Sequence, residues 1–229
     1  MQKEEAAMAR NKHPEETERK ILEVSRRLFQ TKGYEHTTIQ DIVDALGMSK
    51  GAVYHHFKSK EAIYDRIGRL YYDRFHWFRN ADGLPGGTGL EKLQNLIEFL
   101  FTDPEKVEMD RMGATLVDDP RLVLLVLRSS VKDAAPMLQN LIELGNADGS
   151  IHVEQPQAMA EAFMILANLW VGGSEATREE FIDRVRFIQA FTASLGLPVV
   201  TDHLLSVAGD YYEAVVVQPL KKLREMAGE

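Results

Sequence analysis

The side chains that could do chemistry are concentrated between Thr37 and Ile63, in TTIQDIVDALGMSKGAVYHHFKSKEAI. Lys50, Gly51, Tyr54, His55 and His56 fall on one side of a short helix, and Ala52, Val53 and Phe57 fall on the other. Ammonium, phenol and imidazole donors on one face suit phosphate oxygens and base edges. They do not suit catalysis or metal binding. His55 and His56 are adjacent in a helix and point in different directions, which is poor for chelation. The other histidines (His13, His36, His76, His152 and His203) are scattered, and no HExxH spacing occurs. There is no cysteine, no glycine-rich phosphate loop and no nucleophile elbow. Acidic pairs such as Asp118-Asp119 and Glu179-Glu180 sit at helix starts, where capping and dipole compensation explain them. The expectation is therefore no catalytic residue, no metal and no cofactor, and a chain that is not an enzyme.

Two short helices around a tight turn must position these donors. Thr38 stands at an N-cap, and Asp41 three residues later completes a capping box. Ile39, Ile42, Val43 and Leu46 place an apolar stripe on the helix that follows. Gly47 tolerates the left-handed conformation that ends such a helix. Met48 spans the turn and Ser49 can cap the next helix. A helix this short is not stable alone, so its neighbours must hold it with the polar face outward. That is the geometry of a helix-turn-helix, whose second helix enters the DNA major groove. Lys50 and Gly51 open that helix, where side chains meet base edges; Gly51 allows close backbone approach. Thr38 offers a hydroxyl and helix-start amides to a phosphate. Lys60, in the first turn of the next helix, can clamp another.

The run LGMSKGAVYHHFKSKEAI resembles the signature of the tetracycline-repressor (TetR) family of bacterial transcription regulators. The match extends from the first helix (Arg19 to Gly33) through YHHFKSKE, roughly the first third of the chain. Its specific part is the Tyr-x-His-Phe-x-x-Lys block at a fixed offset after the turn. The resemblance implies that Gln40 contacts a base or the backbone, that Tyr54 and His56 bond phosphates, and that His55 is a neighbouring contact. The expected DNA-binding set is thus Thr38, Gln40, Ser49, Lys50, Gly51, Tyr54, His55, His56 and Lys60. The competing reading has Tyr54 packing the small core with the others merely solvated; Phe57 belongs to that core in either case.

The formal net charge of −8 over 229 residues fits a DNA binder once it is divided along the chain. From Arg10 to Lys60, ten Lys/Arg stand against seven Asp/Glu, a balance of +3, with four histidines besides. From Glu61 onward the count is sixteen against twenty-six, a balance of −10. Phosphate affinity follows local Lys/Arg placement, and the acidic remainder disfavours nonspecific contact elsewhere. No apolar run approaches the ~20 residues of a membrane span, and no segment has the order of a signal peptide. With no cysteine, these features fit a cytoplasmic protein.

The pattern predicts an all-α chain: a flexible arm over 1–12, a helix-turn-helix domain over 13–60, and a larger helical body over 61–229. Pro14 opens the first helix, with Ile21, Val24, Leu28 and Phe29 as its buried stripe. Ser59 caps a helix expected to reach Asn80. The glycine-rich stretch to Gly89 follows as a hinge or loop. Further helices are predicted over Glu91–Thr102, Glu105–Val117, Arg121–Leu144 (bent or interrupted at Pro136), Pro156–Trp170, Thr177 to near Gly196, and Asp202–Met226. The segment Gly145–Ile151 (GNADGSI) reads as a turn.

One short recognition helix reads few base pairs, so a homodimer on two half-sites of operator DNA is expected. The resemblance implies a four-helix bundle between copies, from Pro156–Trp170 and Thr177–Ser194, with Asp202–Val217 as a further candidate. A subset of Phe163, Ala167, Trp170, Phe181, Val185, Ile188 and Phe191 would be at that contact. Because Met fills irregular space, Trp77, Phe99, Met109, Met112, Leu116, Met137, Leu141, Met164 and Trp170 could line an apolar pocket for a small-molecule effector. The alternatives are that these residues are core, and that the regulator has no small-molecule effector but answers to a protein partner or acts architecturally.

Overall fold

The computed structural model describes residues 14–75, 81–113, 120–171, 177–219 and 221. The expected arm, Trp77, Leu116 and Gly172-Gly173 lie outside the described residues. Among those described, every regular element is helical. The chain divides into two compact units, Met1–Leu70 and Tyr71–Glu229.

The smaller unit contains α1 (Pro14–Lys32), α2 (Ile39–Leu46), α3 (Lys50–His56) and the start of α4 (Lys60–Asp73). Glu15 and Glu16 in the first turn of α1 and Lys32 in its last complement the helix dipole. Ile21, Ile42, Val53 and Ile63, one from each helix, are fully buried and form the centre of the small core. Burying each contributes roughly 1.5–3 kcal/mol, most of it offset by chain entropy.

The larger unit contains α5 (Gly89–Thr102), α6 (Pro104–Gly113), α7 (Pro120–Ser129), α8 (Ala135–Asp148), α9 (Pro156–Ile165), α10 (Arg178–Ser194) and α11 (Asp202–Tyr212). Leu93 and Leu96 of α5, Leu141 and Ile142 of α8, and Met159 and Ala160 of α9 share one buried cluster. Phe181, Val185 and Ile188 of α10 form another with Ala208 and Tyr212 of α11. Thr88 caps α5 and Thr201 caps α11, both through the amide three residues on.

Helix α4 ends at Asp73, short of the Asn80 expected, and two further stretches differ from expectation. GNADGSI is not a turn: α8 continues through it to Asp148 and ends at Gly149, whose φ is 80°. The reason is a helix crossing. A Cβ on Gly89 would lie 2.2 Å from the Gly145 nitrogen, so Gly89 is needed for α5 and α8 to approach this closely, while a Cβ on Gly145 would run into the Ile151 side chain at 2.4 Å. Asp148 and Ser150 then cap α5, accepting hydrogen bonds from the Gly89 and Leu90 amides at 2.7 and 3.2 Å. The second is the break expected at Pro136, which comes just before it. After Ser129 the chain takes a wider π-type turn (Ser130–Ala134), in which the Ala135 amide donates to the Ser130 carbonyl. The wider turn accommodates a proline that cannot donate and crowds the carbonyl four residues back. A similar wide turn, Leu166–Val171, continues α9, and Asn168 within it donates to the buried Ser130 hydroxyl at 2.9 Å.

Candidate nucleic-acid interface

Each end of the two short helices is fixed by its own residues. The Asp41 amide donates to the Thr38 hydroxyl at 3.1 Å, and the Thr38 amide donates to the Asp41 carboxylate at 2.7 Å, a complete capping box. Lys32 reaches the same carboxylate at 2.7 Å. Lys32, with the Thr38 hydroxyl and amide, holds the Asp41 carboxyl far below the usual carboxylate range. Gly47 ends α2 with φ 62°, the left-handed geometry expected there. Ser49 caps α3 through the Ala52 amide at 3.3 Å. At the other end, the Phe57 amide returns to Val53 at 2.9 Å and Lys58 donates to the Tyr54 carbonyl at 3.1 Å.

Val53 and Phe57 face inward and are buried, so the opposite side of α3 faces solvent. Lys50, Gly51, Tyr54 and His55 lie there exposed, and His56 is half-buried at the edge. The Lys50 ammonium stands 5.9 Å from the centre of the Tyr54 ring, and the His55 and His56 rings meet edge to face. A Cβ on Gly51 would meet nothing within 4 Å, so the fold of the chain does not require glycine there. Gln40 is exposed one helix earlier, donating to Asp44 at 2.8 Å. The Thr38 hydroxyl is engaged twice by Asp41, donating to it at 2.6 Å and accepting its amide. Lys60 stands apart: its ammonium donates to the Tyr34 carbonyl at 2.7 Å and lies 3.9 Å above the Tyr34 ring. Tyr34 carried no motif and sequence reasoning passed over it.

The residues expected to line an effector pocket are spread through the larger unit. Met137, Leu141 and Met164 come together in the first buried cluster, with Leu141 at its centre. Met112 is buried and Met109 half-buried in α6, and Phe99 packs edge-on against Phe75. Trp170 is 40% exposed, packs edge to face on Phe187 and belongs to neither cluster. Phe181, Val185 and Ile188, expected among contacts to a second copy, are core within the chain. The apolar strip left outward is Trp170, Phe187 (54% exposed) and Phe191, the two phenyl rings stacked 6.0 Å apart.

A buried polar cluster had no sequence signal. Lys106 and Asp110 of α6 form an ion pair whose side chains are 13% and 20% exposed. Tyr211 of α11 donates to Asp110 at 2.6 Å, and Tyr72 of α4 adjoins Lys106. Burial alone would lower the Lys106 pKa, but Asp110, with Tyr72 and Tyr211, pushes it well above the usual value. Burial, then Asp110, pushes Tyr211 up as well. Tyr71 donates to Asp103 at 2.7 Å beside this cluster. Among the described residues no group of three or more His, Asp or Glu could hold a metal ion, and no helix is long and apolar enough to cross a membrane.

Residues 21–67 match the family model for bacterial regulatory proteins of the tetR family. The chain is 40% identical over 151 residues to the HTH-type transcriptional repressor KstR2 of Rhodococcus jostii, covering 63% of this chain and 72% of that protein. It is 37% identical over 68 residues to the HTH-type transcriptional repressor Rv1474c of Mycobacterium tuberculosis, covering 30% of this chain and 36% of that protein. The shared stretch thus spans about a third of one repressor and nearly three quarters of the other. A crystal structure of a putative TetR-family transcriptional regulator from Rhodococcus sp. shares the fold at a TM-score of 0.53 and 21% identity, over 79% of this chain and 99% of that one.

Proposed function

The chain belongs to the TetR family of bacterial regulatory proteins, a family of DNA-binding transcription regulators and not of enzymes, and from that premise we propose that it is a homodimeric repressor of an operator read by α3. The observation that carries this reading is the outward face of α3: Lys50, Gly51, Tyr54 and His55 exposed on a helix capped at both ends over a buried Val53 and Phe57. Lys50 and Gln40 would meet base edges. Tyr54, His55, His56 and the helix starts at Thr38 and Ser49 would meet phosphates. A second copy would cover the aromatic strip of Trp170 and Phe187, which are exposed, and Phe191, which is half-buried. The site of action would be the cytoplasm, where the DNA is.

Release from the operator would come from a small apolar ligand held among Met109, Met112, Met137 and Met164, whose flexible side chains can repack around it. Trp77 and Leu116, outside the described residues, remain part of that proposal. The alternative, a regulator without a small-molecule effector, draws support from Leu141, which is fully buried among its neighbours instead of lining a void. Titrating apolar compounds against the protein with and without operator separates the two. A ligand that acts must bind both states with different affinity, and operator must weaken it by the same factor.

The DNA reading is tested by selecting bound duplexes from a random pool. A near-palindrome is expected, with half-site centres ~34 Å apart or farther. Affinity should fall steeply with salt as counterions are released. Binding as a monomer to one half-site, or affinity indifferent to salt, would contradict it.

A further inference from the structure

Asp44 is poorly placed for the stability of its own helix. Aspartate is a weak helix former, and in the last turn of α2 it lies at the negative end of the helix dipole with no basic residue in that turn. Its side chain is exposed. Among the described residues its carboxylate has one partner, Gln40, four residues earlier, whose Nε2 donates to it at 2.8 Å. Ile42 and Val43 between them are buried, so Gln40 and Asp44 share the opposite, outward face of α2.

That bond sets which way the Gln40 amide points. Turned over, the amide would bring Oε1 against the Asp44 carboxylate, two acceptors with no proton between them. With Nε2 toward Asp44, Gln40 keeps one N–H and Oε1 for a partner outside the chain. One donor beside one acceptor matches adenine, whose major-groove edge offers N6–H and N7. It does not match guanine, whose O6 and N7 both accept and call for two donors.

Resting on the reading of α2 and α3 as a DNA-recognition pair, we infer that Asp44 is a positioning residue for base recognition: it holds Gln40 in the orientation that reads adenine and turns away guanine. As an anion beside DNA, Asp44 also repels every duplex alike, and the two effects separate because only positioning alters base preference.

The test uses the full chain and duplexes selected from a random pool, by the wild type and by each variant. Gln40→Ala identifies the base pair that Gln40 reads, as the position whose preference disappears. There the wild type should favour adenine over guanine roughly tenfold, as a bidentate pair allows. Asp44→Ala should lower that ratio by roughly twofold, the worth of a Gln–Asp bond at this spacing on a helix surface, and leave other positions unchanged. Asp44→Asn removes the charge and keeps an acceptor oxygen, so it should hold the wild-type ratio. Alanine is the better helix former at this exposed position, so Asp44→Ala should melt no lower than the wild type. An Asp44→Ala protein that binds all duplexes more tightly with the wild-type ratio would show a charge effect only and overturn the inference. So would an Asp44→Asn protein that loses the ratio as Asp44→Ala does, or a preference other than adenine at the Gln40 position. Each of these leaves the DNA reading standing. If Gln40→Ala alters no position, or the wild type selects no duplex, the reading beneath the inference falls with it.

Discussion

Gly51, in the smaller unit, faces open space, and a side chain there would touch nothing of the protein within 4 Å. Gly89, in the larger unit, is so close to Gly145 that a Cβ on it would overlap backbone, and a Cβ on Gly145 would overlap the Ile151 side chain. The same residue type answers to two different demands. In the larger unit glycine is required by packing inside the chain. In the smaller unit the chain does not require it, and on the proposed reading the small residue would admit the approach of DNA. Charged groups divide in a parallel way. Lys50 is displayed on the surface of α3, whereas Lys106 is buried in a pair with Asp110 and shielded by two phenols. The smaller unit displays Lys50 on a solvent face, although it also buries Ser25 and Thr37. The larger one places the Lys106–Asp110 pair inside, where each member needs a partner.

The contrast can be broken or sharpened by experiment, and the largest effect should come from Gly89→Ala. With backbone 2.2 Å away, α5 and α8 must part, at a cost of roughly 3 kcal/mol or more. Both tryptophans, at positions 77 and 170, belong to the larger unit, so thermal unfolding followed by tryptophan fluorescence reports that unit. A wild-type melting curve would refute the crossing.

Next in size is Lys106→Ala, which leaves Asp110 with only the Tyr211 hydroxyl in a nearly buried site. About 3 kcal/mol should be lost. The raised pKa values of Lys106, Tyr72 and Tyr211 make the sign of the alkaline limb definite. Their contribution is complete below the ordinary values of 10.5 and 10.0, and it is lost as pH rises through the higher folded values. Fluorescence-monitored stability should therefore fall above about pH 10 in the wild type. The depressed carboxyls (Asp41, Asp148 and Glu180) work oppositely. Their contribution is present above the ordinary 3.8 to 4.5 and is lost as pH falls below it. An alkaline limb unchanged by Lys106→Ala would mean that the cluster does not titrate as described.

On the surface of the smaller unit the effects should move from stability to affinity. Lys50→Ala and Gln40→Ala should each leave the melting curve in place and cost roughly 1–3 kcal/mol on operator alone. Tyr54→Phe should weaken operator and random DNA about equally, since a phosphate contact carries no sequence. Equal losses on both duplexes for Lys50→Ala would reassign it to the backbone.

Smallest in stability, and most informative, is Gly51→Ala. Alanine is the better helix former by up to about 1 kcal/mol, so the protein should melt no lower than the wild type. On the proposed reading operator affinity should nevertheless fall, because the added methyl would stand where the DNA approaches. A variant that binds normally would leave the absence of a side chain at position 51 unexplained.

The helix-turn-helix was legible because its determinants are local. Thr38 and Asp41, Gly47, and Ser49 with Ala52 each act within one turn of chain, and the alternation of Val53 and Phe57 against Lys50 and Tyr54 fixes which face turns inward. The start of α10 is fixed in the same local way, by a capping box between Thr177 and Glu180 three residues apart. Reading failed where a local signal had a distant cause. GNADGSI has the composition of a turn, but Gly145 lies within α8, where a side chain would collide with Ile151. Pro136 signals a break, yet the wide turn before it takes the strain. Of the seven residues from which a subset was expected at a second copy, Phe181, Val185 and Ile188 lie in the core against α11.

What the sequence determined by itself is the all-helical class, the position and capping of α2 and α3, and the polar face of α3. Capping bonds and amphipathic spacing operate between residues three or four apart, so their partners can be counted off along the chain. Only the tertiary structure decided that Lys60 meets Tyr34 across 26 residues, that Gly89 is capped by Asp148 across 59, and that Tyr211 closes on Asp110 across 101. Such pairs are set by the path of the whole chain through space. A buried ammonium or carboxylate takes whichever partner that path delivers, and nothing in its neighbouring residues records which one it will be.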